Sequence, residues 1–95
     1  MAAYVVSSVA ELKDSDLMSK YAETAAPTVA AHGGKFLASG DIEKLDGEWN
    51  AFSGVVIEFT NKEAAKTWYN SPEYQAARSM RLNATQSSML LFPGD

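Results

Sequence analysis

The sequence contains no cysteine. Disulfides, thiol nucleophiles and thiolate metal sites are thereby excluded together. It contains a single histidine, His32, and a lone imidazole without thiolates is a poor start for a metal site, so no metal is expected. Basic residues are few and scattered: eight Lys and Arg stand against twelve Asp and Glu, for a net charge of −4. A phosphate backbone needs clustered cations, so neither nucleic acid nor an anionic membrane surface is an expected partner. No apolar run approaches the roughly 20 residues that span a bilayer. The opening stretch "MAAYVVSSVAEL" has no basic segment ahead of its short apolar one, and the expected location is the cytoplasm. Asn83-Ala84-Thr85 fits a glycosylation acceptor pattern, read as chance without an export signal. Gly33, Gly34 and Gly40 lack the spacing of a phosphate-binding loop, and no serine sits in a nucleophile elbow. No cofactor is expected.

What is present is an ordinary globular composition, 46% hydrophobic over 95 residues, which makes one domain, residues 1–95. "YVVSSV", Tyr4 to Val9, is aromatic and β-branched and reads as a first strand. Asp14 or Ser15 then caps a helix in which Leu17, Tyr21, Ala25, Val29 and His32 recur at helical spacing. Pro27 lacks an N–H and clashes with the preceding turn, so a kink or two short helices in series are expected. Gly33 or Gly34 supplies the left-handed residue that ends the helix. "KFLASG" and "IEKL" read as a second strand broken by a bulge near Gly40. "DGEWNAFSG" is a loop, "VVIEF" a third strand, and Asn61 caps "KEAAKTWY". Ser71 and Pro72 restart a helix, with proline at its favoured first position. "SSMLLF" closes the chain as a fourth strand.

The order β-α-β-β-α-β predicts a ferredoxin-like α+β fold, a four-stranded antiparallel sheet with its helices on one face. A sheet with one wet face should alternate apolar and polar residues. Val55, Val56 and Ile57 do not, and neither do Met89, Leu90, Leu91 and Phe92. At roughly 25 cal/mol per Å² of apolar surface, leaving the second face wet forfeits many kcal/mol. A second copy packed sheet to sheet is the simplest cover, which predicts a homodimer closed into a β-barrel.

The stretches "AAHGGKFLASG", "EWN", "VVIEF" and "WYNSPEYQAAR", in this order of elements, resemble the domain-of-unknown-function 1330 family, within the dimeric α/β-barrel superfamily. The resemblance covers nearly the whole chain. It implies a ferredoxin-like monomer and a barrel-forming homodimer, and it marks His32, Gly33, Gly34, Trp49, Tyr69, Pro72 and Tyr74 as motif positions. Similar sequences carry a proline and an arginine in the stretch occupied here by "NAFSG", where Ala51 and Ser53 supply neither. Cofactor-free monooxygenases, muconolactone isomerases and haem enzymes occur elsewhere in the superfamily, and none of these activities carries over, because fold does not fix function.

Two residues are candidate acid–base groups. His32 titrates near neutral pH, but a histidine in the last helical turn also serves to bond free carbonyls there. Glu58 interrupts an apolar strand. Facing inward it would be desolvated as a general acid or base requires, and paired with Arg78 or Arg81 it would be a structural ion pair. Tyr21, Phe36 and Tyr69 are expected to wall a space between helices and sheet that His32 borders. Trp49 and Tyr74 join them as candidate contacts for a small organic ligand, Trp49 as a pocket wall or as a lid on its own core or on the partner; Trp68, Tyr69 and Tyr74 also read as ordinary core packing with a tyrosine hydroxyl at the rim. Two functions fit: a small-molecule-binding domain acting as a cofactor-free enzyme, with isomerase- or monooxygenase-like proton transfer on an organic substrate, or a non-catalytic dimer that binds a metabolite or a protein.

Overall fold

The computed structural model describes residues 1–94. Capping chemistry starts each of its helices. Asp14 accepts the N–H of Leu17 at 3.0 Å and opens α1, Ser15–Ala31. Asn61 accepts the N–H of Ala64 at 2.8 Å and opens α2, Lys62–Tyr69. Ser71 accepts the N–H of Tyr74 at 3.2 Å, with Pro72 behind it, and opens α3, Pro72–Ala84.

α1 is one continuous helix of 17 residues, not two short ones. Pro27 removes the donor that would reach the carbonyl of Glu23. Both residues are exposed, so water takes that carbonyl and the helix survives. The helix ends as the glycine pair requires. Gly33 donates to Ala30 O at 3.1 Å and Gly34 to Val29 O at 2.8 Å, the paired bonds of a left-handed helix end. Gly33 carries the positive φ of 74°. Gly34 has a different duty: it lets the chain pass against Val29 and Phe59, where a Cβ would lie 2.6 Å from Val29 Cγ1.

Strands β1 (Ala3–Leu12), β2 (Lys35–Asp41), β3 (Ser53–Phe59) and β4 (Thr85–Pro93) form one antiparallel sheet in the order β2-β3-β1-β4. With the helices on one face this is the ferredoxin-like α+β arrangement. Two expectations for the second strand are corrected. β2 stops at Asp41, and the "IEKL" stretch runs as loop, because Leu45 finds nothing to bury itself against and is 91% exposed. The irregularity in β2 falls between Phe36 and Ala38 rather than near Gly40. That extra residue turns Phe36 to the helix side, paired with Ile57, and Ala38 to the opposite side, paired with Val56.

Val5, Ile57 and Phe59 from the sheet meet Val29, Trp68 and Tyr74 from the helices in the core. The opposite face is built from rows in register: Lys35–Glu58–Tyr4–Phe92, then Ala38–Val56–Val6–Leu90, then Gly40–Gly54–Ser8–Ser88. Apolar side chains thus line both faces, and Leu90 and Phe92 are about half exposed on the uncovered one. Among the described residues, no helix is long and apolar enough to cross a membrane.

Candidate functional site

The space between α1 and the sheet is not filled. α1 packs chiefly on α3, and towards the sheet it presents Met18, Ala22, Ala25, Ala26 and Val29. Alanine methyl groups reach too short a distance to meet the strands. The result is a cavity of about 250 Å³, closed below by Val55, Ile57, Met89 and Trp68 and opening beside exposed Phe36, Ala22 and Ala26. Cavities of about 150 Å³ hold benzene, so this one suits a molecule of one or two rings.

Its walls are apolar except at one place, the phenol of Tyr21. Tyr21 Oη lies 3.0 Å from Tyr74 Oη. Arg81 Nε donates to Tyr74 Oη at 3.3 Å, and the same guanidinium donates to Ser87 Oγ at 2.7 Å. Arg81 is 4% exposed, and its side-chain bonds go to hydroxyls instead of a carboxylate. Burial pushes the Tyr21 phenol well above the ordinary tyrosine range; Tyr74 adds to the push and Arg81 opposes it. Tyr21 is therefore neutral at physiological pH and keeps its proton.

Two proton arrangements satisfy this chain. Arginine only donates, so Tyr74 Oη accepts from Arg81 in both. In one, Tyr74 donates to Tyr21, and the Tyr21 proton is left for the cavity. In the other, Tyr21 donates to Tyr74, whose own proton turns to Met89 Sδ at 3.8 Å. A thioether is a weak acceptor, and an acceptor bound in the cavity favours the first arrangement.

The sequence candidates divide among three places. Tyr21 and Phe36 share the cavity, and Tyr74 stands behind Tyr21. Tyr74 is fully buried. Tyr69 touches Tyr74 ring to ring, with centroids 5.6 Å apart, but faces a separate cleft under α2. His32 does not border the cavity that Tyr21 and Phe36 line. It caps α1, with Nδ1 2.9 Å from Thr28 O, and faces a shallow polar groove with Lys66, Pro72 and Glu73. A carbonyl can only accept, so Nδ1 is the protonated nitrogen in that bond. Glu58 neither faces inward nor pairs with Arg78 or Arg81. Strand alternation places it on the uncovered face, between Lys35 and Tyr4. Trp49 also stands on that side, 53% exposed, beside Val6, Val56 and Gly54. Among the described residues, no three His, Asp or Glu side chains gather to hold a metal.

Arg81, Trp68 and Thr28 complete the region without having been singled out as site residues. Trp68 Nε1 donates to Thr28 Oγ1 at 3.0 Å and fixes the indole as the cavity floor. Ala25 on the inner side of α1, with Ala22 and Ala26 at the mouth, was the available signal for the cavity.

No curated protein matches the sequence. Solved structures do. A protein of unknown function from Rhodopseudomonas palustris superposes with a TM-score of 0.81 at 17% identity, covering 99% of this chain and 82% of its own. A dimeric ferredoxin-like protein of unknown function from Jannaschia sp. gives 0.71 at 15% identity, with 99% and 100% covered. SnoaB, a cofactor-independent oxygenase from Streptomyces nogalater, gives 0.65 at 16% identity, with 99% and 92% covered. Likeness at these identities establishes the fold. The sequence itself matches the family model of a domain of unknown function, DUF1330, over residues 2–95, and the chain belongs to that family.

Proposed function

We propose that the chain binds a small, flat organic molecule between α1 and the sheet and gives one of its oxygen atoms a hydrogen bond from Tyr21. The observation that carries this reading is an apolar cavity whose polar end is a half-buried, neutral phenol backed by Tyr74 and Arg81. Apolar walls with one convergent donor are the usual make-up of a small-molecule site. An interior packed solid would have favoured the non-catalytic module instead. SnoaB, which shares the fold, is a cofactor-independent oxygenase, and an activity on an organic substrate in this chain would draw on the same donor. A hydrogen bond to a carbonyl oxygen orients and polarises it, and among the described residues the lining holds no second ionisable side chain to take a proton from the ligand.

The same reading includes a homodimer. The Jannaschia neighbour is dimeric, and a second copy over the row Ala38–Val56–Val6–Leu90 would dry the apolar face and close the barrel. Trp49 and Phe92 would lie in or beside that interface.

Titration with 2-acetylnaphthalene, followed by NMR, tests the binding site. Saturable shifts are expected around Tyr21, Phe36 and Trp68. Tyr21→Phe should weaken binding by about two- to tenfold, the worth of one hydrogen bond. Shifts confined to the outer face, or equal affinity in both proteins, would contradict the reading.

A further inference from the structure

Beyond the cavity lies a second apolar space, a cleft of about 190 Å³ between α2 and β4 that includes Val5, Ala65, Tyr69 and Leu91 among its walls and Lys66 and Asn70 among its polar lining. Two residues line both spaces: Trp68 and Met89. They are the partition. Its halves differ in kind. Trp68 is 1% exposed, bonded to Thr28 and stacked between Phe59 and Tyr74 at centroid distances of 5.2 and 4.3 Å. It cannot move without breaking the core. Met89 is half-buried, unbranched, and held only by packing and a 3.8 Å contact from Tyr74 Oη. A methionine changes rotamer at little cost and fits itself to irregular space. The contact with Tyr74 also places Met89 next to the polar end of the cavity. A ligand oxygen at Tyr21 thus sits beside the movable half of the wall.

We propose that cavity and cleft are two compartments of one binding site, and that Met89 is the specificity-determining residue that sets how long a ligand the site accepts. The proposal rests on the ligand-binding reading above. It names an elongated class of ligand: a flat ring system in the cavity, an oxygen at Tyr21, and an apolar arm that displaces Met89 and runs into the cleft towards Lys66 and Asn70. It also gives Tyr69 a role, as a wall of the second compartment.

A series of 2-acylnaphthalenes, from acetyl to hexanoyl, measures this by calorimetric titration against wild type, Met89→Ala and Met89→Phe. Met89→Ala removes the partition. Its affinity for the longer members should rise relative to acetyl by about fourfold per added methylene, the transfer free energy of one CH₂. Met89→Phe should lower the affinity of the longer members relative to acetyl, the reverse of Met89→Ala. Thermal melting establishes that each variant is folded, and Met89→Ile, stiff at Cβ, replaces the phenylalanine variant should that one not fold. Binding with the same chain-length profile in all proteins overturns the two-compartment proposal and leaves the cavity reading intact. Failure of every member to bind any of the proteins overturns both.

Discussion

Replacing Ala25 by leucine adds three carbons to the roof of the cavity, at a residue only 7% exposed and facing Val55, Ile57 and Met89. If that space is empty, the added groups come out of water into contact with apolar walls. At about 0.8 kcal/mol per methylene, the gain is about 2.4 kcal/mol. If instead α1 closes onto the sheet in solution, the same change overpacks the core and costs about 1–3 kcal/mol. The sign of the effect decides between them. Ala77→Leu is the control: Ala77 is also fully buried in the core but does not line the cavity, and there the leucine should destabilise by the full overpacking amount. Urea unfolding at constant m-value gives both differences. Ala25→Leu should also abolish binding of 2-acetylnaphthalene, because the leucine occupies its place. An Ala25→Leu protein destabilised like Ala77→Leu, or one that binds the ketone as wild type does, would refute the account of the cavity.

Three further outcomes follow from the same geometry. The Tyr21 phenol is raised in the folded state, so its contribution to stability is complete below about pH 10 and is lost above it at about 1.4 kcal/mol per pH unit; alkaline melting curves of Tyr21→Phe should fall less steeply than those of wild type, and parallel curves would contradict this. Gly34→Ala drives a methyl into Val29 and the fully buried Phe59 and should cost about 1–3 kcal/mol, more than the roughly 1 kcal/mol of left-handed strain in Gly33→Ala; thermal unfolding in the reverse order would refute the assignment of the two glycines. Leu90→Glu, on the exposed middle row of the outer face, should convert a sedimenting dimer to monomer while the fold persists; an unaltered dimer would move the interface elsewhere.

The parts legible in the sequence were those written locally. Asp14, Asn61 and Ser71 announce their helices by type and position, and the alternation-breaking runs at Val55–Ile57 and Met89–Phe92 announce a sheet apolar on both sides. The glycine pair announced a helix end, although only the structure separates the φ of Gly33 from the close approach at Gly34. Pro27 misled because its cost depends on whether water reaches one carbonyl, which is a matter of which side of the helix it falls on. Ile42 to Leu45 misled because two apolar residues just past a strand do not supply a partner for it. The site was the least legible part. Tyr21 and Tyr74 are 53 positions apart, and no local pattern says that their hydroxyls meet. Arg81 looked like an ion-pair partner for Glu58, yet the strand alternation that buries Ile57 and Phe59 sends Glu58 to the other face. His32 attracted interest as the only imidazole, while its spacing from Tyr21 held only as far as the helix itself, and His32 is the residue at which that helix ends.

The central claim is that the space under α1 holds a ligand by its oxygen. A crystal structure of the protein soaked with 2-acetylnaphthalene tests it most directly. The account predicts the ring system between Val29, Phe36 and Ile57, with the carbonyl oxygen within hydrogen-bond distance of Tyr21 Oη and the Tyr21–Tyr74–Arg81 chain unbroken. A structure in which α1 has collapsed onto the sheet, or in which the ketone lies beside Trp49 on the outer face with the cavity empty, would contradict it.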